Sequence, residues 1–323
     1  MTVYLSTLAP GLARAERPPG GEWNVEVVAP NADIRCLAAD PHEPGTVFAG
    51  TQGGGVLRSD NAGLTFQPAG LDGLVVKSLA VHPARPGHVY AGTKPPHLFV
   101  SADRGGHWDE LVGFQRVRRF FWFSPSERPF TPYVQGIAVS TADPDVVIAG
   151  IEYGAVVRSA DGGRTWQGHR PGALRDCHSL DATGGRFFEG GDRGGAVSDD
   201  GGVTWSRPTG LKRKYGWAVA ADRVDPSLWY LASAPGVRAH SNNADAAIHR
   251  CRDGGPWERL SGGLPSLMLA MPYALIAGPE PGRLVAGLSD GEVWETHDAG
   301  DSWVRLDFRL PKVNRAMVRL SQK

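Results

Sequence analysis

Four acidic residues are the candidates for acid–base chemistry in this sequence: Glu152, Asp176, Asp192 and Asp290. Each follows, or lies just ahead of, a short apolar run typical of a β-strand, so each is expected on a loop. Hydrolysis of a glycosidic bond needs two carboxyl groups held about 5 to 9.5 Å apart. The alternative is that each is a solvated loop carboxylate, the commoner role of surface acids.

A second set of polar residues recurs at one position of a repeated pattern. The segments IRCLA, VKSLA, VQGIA, CHSLD and NRAMV align, and the aligned position holds Arg35, Lys77, Gln135, His178 and Arg315. If this position faces a central channel, it forms a largely cationic ring suited to a carboxylate, phosphate or sulfate. Channel residues that only contact water are the alternative.

The elements that must position these residues are indicated by a repeated turn, S/T-x-D-x-G-x-T-W. Six copies occur, at 59–66, 101–108, 159–166, 198–205, 251–257 and 296–303; the fifth is one residue short, and the first has Asn61 in place of aspartate. The closing aromatic residues are 42, 58, 39, 52 and 46 residues apart. Repeats of 40 to 50 residues are typical of β-propeller blades.

Each repeat also predicts four short strands. An apolar strand ending near "DP" or "HP" is followed by "VFAGT" or a relative, then by "GGGVLRS", then by the box. The composition agrees, because 43 glycines, 25 prolines and 10 tryptophans favour many strands joined by tight turns. The fold class is therefore predicted to be all-β, with four-stranded blades.

The two ends of the chain complement each other. Residues 2–28 match the last three strands of a repeat but lack an inner strand, and residues 313–320 match an inner strand without the rest. Pairing them makes a seventh blade and leaves no open edge. The sequence thus predicts one domain, residues 1–323, forming a seven-bladed propeller closed by its termini.

This sequence resembles the Asp-box (BNR) repeat β-propellers, on the six boxes and the intervening "AGT" strands. That superfamily includes sialidases, xyloglucan-active glycoside hydrolases, sortilin-type receptors and photosystem II assembly factors. Its members do unrelated things on one scaffold, so the resemblance implies the fold and no single activity. It also implies that the Asp boxes lie on the face opposite the ligand site.

The box aspartates are therefore predicted to be structural. An aspartate in such a turn accepts hydrogen bonds from backbone N–H groups, the glycine takes a left-handed backbone angle, and the tryptophan fills the gap between blades. Asn61 fits, because an amide oxygen can accept the same bonds.

Function is expected on the opposite, upper face, which carries the loops between second and third strands. Tyr153 and Arg193 lie on such loops. Two insertions enlarge this face: 113–133, which is rich in arginine and aromatic residues and includes Trp122, and 233–247, which includes His240. Ligand-binding roles are predicted for Tyr153, Arg193, Trp122 and His240. For Trp122 the alternative is packing on the propeller rim, and for His240 it is a mobile polar flap.

Charge and composition limit the classes of partner and cofactor that the protein is expected to bind. Thirty-four basic residues balance thirty-four acidic ones, so no nucleic acid or membrane partner is expected. The three cysteines are far apart and are expected to be buried free thiols. No cofactor is expected, and no metal site, because His178 has no HxH or HExxH companion. We expect a cytoplasmic location, since no export signal or apolar span is evident. The protein is also expected to be a monomer.

The leading functional hypothesis is a soluble binding platform whose upper face holds a small anionic or sugar-like ligand, or a protein partner. The alternative is a glycoside hydrolase using carboxylates of that face. A typical sialidase is disfavoured, because the Phe/Tyr-Arg-Ile-Pro motif of that family has only a faint echo here, "IRCL" at Ile34, and seven blades are predicted where sialidases have six.

Overall fold

Seven antiparallel sheets form a closed ring in the computed structural model, which describes residues 1–119, 122–125 and 128–321. The inner strand of each sheet contacts the inner strand of the next, and the last contacts the first. The predicted seven-bladed all-β propeller is confirmed.

Blades 1 to 3 follow the chain. Blade 1 consists of β4 Ile34–Ala39, β5 Val47–Thr51, β6 Val56–Ser59 and β7 Gln67–Pro68. Blade 2 consists of β8 Val75–Val81, β9 Val89–Lys94, β10 Leu98–Ser101 and β11 Asp109–Glu110. Blade 3 consists of β12 Val134–Val139, β13 Val147–Ile151 and β14 Val156–Ser159. Its fourth strand is reduced to one bridge, between Arg158 and Gln167.

Blades 4 to 6 continue around the ring. Blade 4 consists of β15 Cys177–Thr183, β16 Arg186–Gly191 and β17 Gly194–Ser198, with a bridge from Val197 to Ser206 in place of a fourth strand. Blade 5 consists of β18 Tyr215–Ala221, β19 Leu228–Ala234, β20 Ala247–Arg252 and β21 Glu258–Arg259. Blade 6 consists of β22 Pro272–Ala277, β23 Leu284–Leu288, β24 Glu292–Thr296 and β25 Val304–Arg309. Short 3-10 helices occupy Val112–Val117 and Val237–His240.

Blade 7 closes the ring by joining the two ends of the chain. Its strands are β1 Thr2–Thr7, β2 Leu12–Arg17, β3 Asn24–Val28 and, innermost, β26 Met317–Ser321. The register runs from Thr2 opposite Ser321 to Ser6 opposite Met317. The predicted pairing of the termini is confirmed, and it satisfies backbone groups that would otherwise form an open sheet edge.

The Asp boxes are structural, as predicted. In the third box the Oδ1 of Asp161 accepts the Thr165 N–H at 2.9 Å, and the Ser159 hydroxyl donates to the same carboxylate at 2.8 Å. Asn61 accepts the equivalent N–H, from Thr65, at 3.0 Å. Gly163 has φ +96°, the left-handed conformation that the turn requires.

The box tryptophans fill the space between blades. Trp205 of blade 4 packs in one buried cluster with Ile148 and Val156 of blade 3, and Trp303 of blade 6 packs with Tyr230 and Ile248 of blade 5. The core is therefore distributed around the ring as a series of layers between neighbouring sheets.

Arginines of the third strands bind the boxes of the next blade. The Nε of Arg14 donates to the Ala62 carbonyl at 2.9 Å, and Arg158 Nε donates to the Gly201 carbonyl at 2.7 Å. Similar bonds run from Arg58 to Arg104 and from Arg250 to Ala299. The boxes thus also fix the distance between blades.

Candidate functional site

In blades 1 to 6, a β-bulge in the inner strand aims a side chain into the central channel. The register between first and second strands shifts around Arg35, Lys77, Gln135, His178 and Tyr273, and around Trp217 with its neighbour. In blade 7, Arg315 lies two residues before β26, and its N–H donates to the Thr7 hydroxyl at 2.9 Å. A bulge re-aims a side chain without ending the sheet. The aligned position identified in the sequence therefore does face the channel.

The channel, with a volume of about 240 Å³, is less uniformly cationic than the sequence suggested. Two of its seven positions hold Trp217 and Tyr273, which the search for polar residues missed. The strands "GWAVA" and "PYALIA" align with the other inner strands and could have revealed them.

Three of the other channel residues contact protein groups. Arg35 pairs with Asp33 at 2.8 Å, the Lys77 ammonium lies 4.5 Å from the centre of the Tyr133 ring, and Gln135 donates to the His178 carbonyl at 3.2 Å. These contacts hold the cations and the amide around the channel wall.

Above the channel lies a larger cavity of about 810 Å³, here called the upper cavity. It is lined by loops of blades 3, 5 and 6 and by the segments that lead into blades 3, 4, 6 and 7. It shares His178, Trp217, Tyr273 and Arg315 with the channel, so the two form one funnel.

One wall of the upper cavity is acidic. Glu152 and Asp176 are both buried, at 8% and 6% exposure, and both line the cavity. The Ser124 hydroxyl donates to Glu152 at 2.8 Å, and the Tyr153 N–H donates to Asp176 at 3.2 Å. The tertiary structure thus brings two of the four predicted carboxylates together.

His178 lies against this acidic wall. Its Nδ1 is 2.6 Å from the Gly216 carbonyl, and its Nε2 is 3.4 Å from an Asp176 oxygen. Burial lowers the pKa of His178, but the hydrogen bond and charge of Asp176, the Gly216 carbonyl and the charge of Glu152 outweigh it, so the pKa is raised overall. Both ring nitrogens are placed to donate, which suits an imidazolium beside a carboxylate.

The second wall consists of aromatic rings and His240. The Tyr215 hydroxyl lies 2.8 Å from His240 Nε2, and the Tyr273 hydroxyl lies 2.9 Å from His240 Nδ1. The Trp217 ring lies 4.7 Å from the His240 ring. Burial, with the charges of His178 and Arg315, lowers the pKa of His240. A neutral imidazole can donate to one tyrosine and accept from the other, so it links the 233–247 insertion to two inner strands.

The third side of the upper cavity is basic and polar. Lys312, Asn314 and Arg315 line it, in the segment between blades 6 and 7. Asp290 lines the same side but pairs with Arg309 at 2.9 Å. A ligand in this cavity therefore meets carboxylates on one side and cations on the other.

Two further predicted residues, Asp192 and Arg193, line a second cavity of about 750 Å³, here called the lateral cavity. Asp192 and Arg193 line it together with Arg175 and Arg207, while Tyr153 and Asp176 line both cavities. Asp192 thus lies near the acidic wall but faces the lateral cavity and its arginines.

Trp122 lies in the hydrophobic core, where it is 5% exposed and its ring is 6.1 Å from that of Phe114. A ligand in either cavity would not stack on it in this arrangement, which fits packing, the alternative given above. The same insertion leaves Phe123 and Phe130 exposed, at 46% and 51%. Phe120 and Phe121, which also belong to the aromatic-rich insertion, lie outside the described residues.

A buried glutamate below the lateral cavity was missed by sequence reasoning. Glu189 on β16 stands where blades 1 to 3 have Ala49, Ala91 and Ala149, a difference visible in "FFEGG" against "VFAGT". It is fully buried and accepts the Leu174 N–H at 2.8 Å. Burial raises its pKa to about 8, against the opposing effects of that N–H and of the Arg207 and His178 charges.

The cysteines are free and buried, as predicted. Within residues 1–119, 122–125 and 128–321, no three or more His, Cys, Asp or Glu side chains cluster as a metal site would require. No helix in the described part of the chain has the length and hydropathy that a membrane span needs.

A model of the BNR/Asp-box repeat matches residues 196–207, which include the fourth box. No curated protein sequence matches this chain. Among solved structures, an ancestral GH74 enzyme is similar, with 18% sequence identity and a TM-score of 0.64. The match covers 84% of this chain and 38% of the GH74 chain. The GH74 xyloglucanase from Xanthomonas campestris is 18% identical with a TM-score of 0.68, covering 93% and 52%. This chain thus spans about half or less of either GH74 chain.

A third similar structure is described as YCF48 bound to D1 peptide. It is 13% identical with a TM-score of 0.58, over 90% of this chain and 93% of its own. At such identities the likeness concerns the fold. The chain therefore folds as a seven-bladed β-propeller with Asp-box turns, one of which matches the BNR/Asp-box repeat model.

Proposed function

We propose that the upper cavity binds a small anionic carbohydrate, of the uronic acid or sugar phosphate type, without breaking a bond in it. The observation that carries the proposal is the arrangement of three kinds of group around one cavity: buried carboxylates, aromatic rings and cations. Few ligand classes offer a partner to all three.

Each wall matches one part of such a ligand. Glu152 and Asp176 can accept hydrogen bonds from sugar hydroxyls, and buried charged acceptors make stronger bonds than neutral ones. The faces of Trp217 and Tyr273 can pack on the apolar face of a sugar ring. Lys312 and Arg315 can pair with a carboxylate or phosphate at the opposite end.

The surroundings of the acidic wall favour binding over hydrolysis. A hydrolase needs one carboxyl group that donates its proton to the leaving oxygen. Asp176 instead faces a backbone N–H and His178, and Glu152 accepts a hydroxyl hydrogen bond from Ser124. Both are thus held as acceptors by protein donors.

Glycoside hydrolysis is the second candidate function. It is supported by the presence of two buried carboxylates on one wall, Glu152 and Asp176, and by the likeness of the fold to GH74 enzymes. Under this hypothesis His178, as an imidazolium, would pass a proton to its neighbour Asp176 and become the neutral imidazole.

The test is isothermal titration of the protein with glucuronic acid, galacturonic acid, glucose 6-phosphate and neutral glucose, followed by chromatography of the recovered sugar. We expect an acidic sugar to bind and to be recovered intact. Replacing Arg315 by Gln should lower the affinity for the acidic sugar by at least about tenfold, the decrease expected when a charge-assisted contact is lost. Exchange of Arg164, on the box face, for Gln is the matched control.

Two outcomes would overturn the proposal. Equal affinity for neutral and acidic sugars would remove the role of the cations. Release of reducing ends from an oligosaccharide, abolished by Glu152→Gln or Asp176→Asn, would establish the hydrolase instead.

A further inference from the structure

We propose that the lateral cavity is a second sugar-binding subsite for an acidic unit, so that the physiological ligand is an acidic oligosaccharide lying across both cavities. This inference rests on the proposed function of the upper cavity and extends it. It follows from the wall that the two cavities share and from the charges on the far side of that wall.

The shared wall is a ridge made of residues 153–154 and 175–176. The Gly154 N–H donates to the Arg175 carbonyl at 2.7 Å, and the Tyr153 N–H donates to Asp176 at 3.2 Å. The ridge therefore joins the blade 3 loop to the segment entering blade 4. Because Tyr153 and Asp176 line both cavities, a chain leaving one cavity reaches the other by crossing these two residues.

Tyr153 is suited to support a sugar at the crossing. Its side chain is 41% exposed, although the ring lies 5.2 Å from that of Phe123. Its backbone has φ +45°, a left-handed conformation that is uncommon outside glycine and asparagine. The loop thus holds an aromatic ring at the crest of the ridge, where ring faces commonly pack on sugars.

The lateral cavity carries more cations than anions. Arg175, Arg193 and Arg207 line it, against Asp176 and Asp192. Asp176 already faces His178. Arg207 is fixed by donating from Nε and Nη2 to the carbonyls of Gly172 and Ala173, each at 3.1 Å. The cavity is therefore suited to a carboxylate or a sulfate ester.

His169 adds a neutral donor to the same cavity. Its Nδ1 accepts the Val156 N–H at 3.2 Å, which places the proton of the neutral ring on Nε2. Burial, with the charges of Arg175, Arg170 and Arg207, lowers its pKa to about 4. Near pH 7 the ring thus offers an N–H to a sugar hydroxyl without adding charge.

The experiment compares galacturonic acid with its linked dimer and tetramer by isothermal titration, at fixed ionic strength. We expect the tetramer to bind at least about tenfold more tightly per molecule than the monomer, because the second subsite adds charge-assisted contacts. The double variant Arg175→Gln/Arg193→Gln should lose this gain and keep the monomer affinity. The control, Arg164→Gln/Arg252→Gln, makes the same charge change away from both cavities.

The possible failures are distinguishable. If the monomer binds and the tetramer gains nothing, or if the double variant keeps the gain, the second subsite is wrong and the function of the upper cavity stands. If neither monomer nor oligomer binds, both proposals fail. If the double variant and its control lose the tetramer's gain in affinity equally, the oligomer is held by long-range charge and not by the lateral cavity.

Discussion

Replacing Glu189 by Gln should make the protein more stable above neutral pH and leave it nearly unchanged at pH 5. Glu189 is fully buried, and burial raises its pKa to about 8 from the ordinary 4.5. A carboxyl group with a raised pKa contributes stability that is present below its unfolded pKa and is lost as the pH rises through its folded pKa. The sensitive window therefore runs from about pH 4.5 to pH 8, with most of the loss complete by pH 9.

The magnitude follows from the size of the pKa change. Each pKa unit is worth about 1.4 kcal/mol, so the contribution of Glu189 to the free energy of unfolding should fall by up to about 4 kcal/mol between pH 5 and pH 9. Relaxation around the ionised group would reduce this, and we expect a measured difference of about 2 to 4 kcal/mol. Glutamine keeps the shape and the acceptor for Leu174 but cannot ionise.

The assay is urea unfolding followed by tryptophan fluorescence at pH 5, 6, 7, 8 and 9, for the wild type and Glu189→Gln. The charged groups that act on Glu189 are Arg207, His178 and Asp176, and all remain in the variant. Cys177 also faces it, but its own pKa is raised by burial, so it stays a thiol over this range. The exposed Glu22→Gln is the control.

One result would refute the reasoning about Glu189. If the difference in unfolding free energy between the wild type and Glu189→Gln is the same at pH 5 and pH 9, the carboxyl group does not titrate with a raised pKa. A matching pH dependence in Glu22→Gln would show that the effect is one of net charge.

Three further predictions concern the scaffold. Deleting residues 314–323 removes β26, so the protein should no longer unfold cooperatively when its thermal unfolding is followed by circular dichroism. Retention of the wild-type Tm would contradict closure of the ring by this strand. Arg14→Ala should lower the free energy of unfolding in urea by about 2 to 3 kcal/mol, because it leaves the Ala62 carbonyl and the partly exposed Glu16 and Glu26 without their partner. A decrease no larger than that caused by Arg164→Ala would contradict this. Trp122→Ala should lower the free energy of unfolding by about 3 to 5 kcal/mol, because it creates a cavity in the core. The affinity for any sugar bound in the upper cavity should stay unchanged in titration at 15 °C, and a lower affinity would restore the ligand-binding role predicted from sequence.

Much of the scaffold follows from local sequence, because each blade repeats the same turn chemistry. Asn61 could be expected to replace aspartate, since the turn needs only an acceptor oxygen. The inner-strand position of Arg35 and Lys77 could likewise be aligned, since the bulge recurs at the same place in blades 1 to 6. Periodic features of this kind can be read from one chain without knowing the ring.

The site could be predicted only in part. Glu152, Asp176 and Asp290 come to the upper cavity and Asp192 to the lateral one, and this division depends on the ridge that Tyr153 forms with the next blade. Such contacts join residues of different blades, and the loops that make them do not follow the repeat. No local pattern encodes them.

By itself, then, the sequence determined the number of blades, the closing strand and the structural role of the boxes, because each depends on short-range turns and strand periodicity. Only the tertiary structure decided which side chains share a cavity and that Trp122 lies in the core. The physical reason is that seven blades must pack into a closed ring before the separations across its upper face are set.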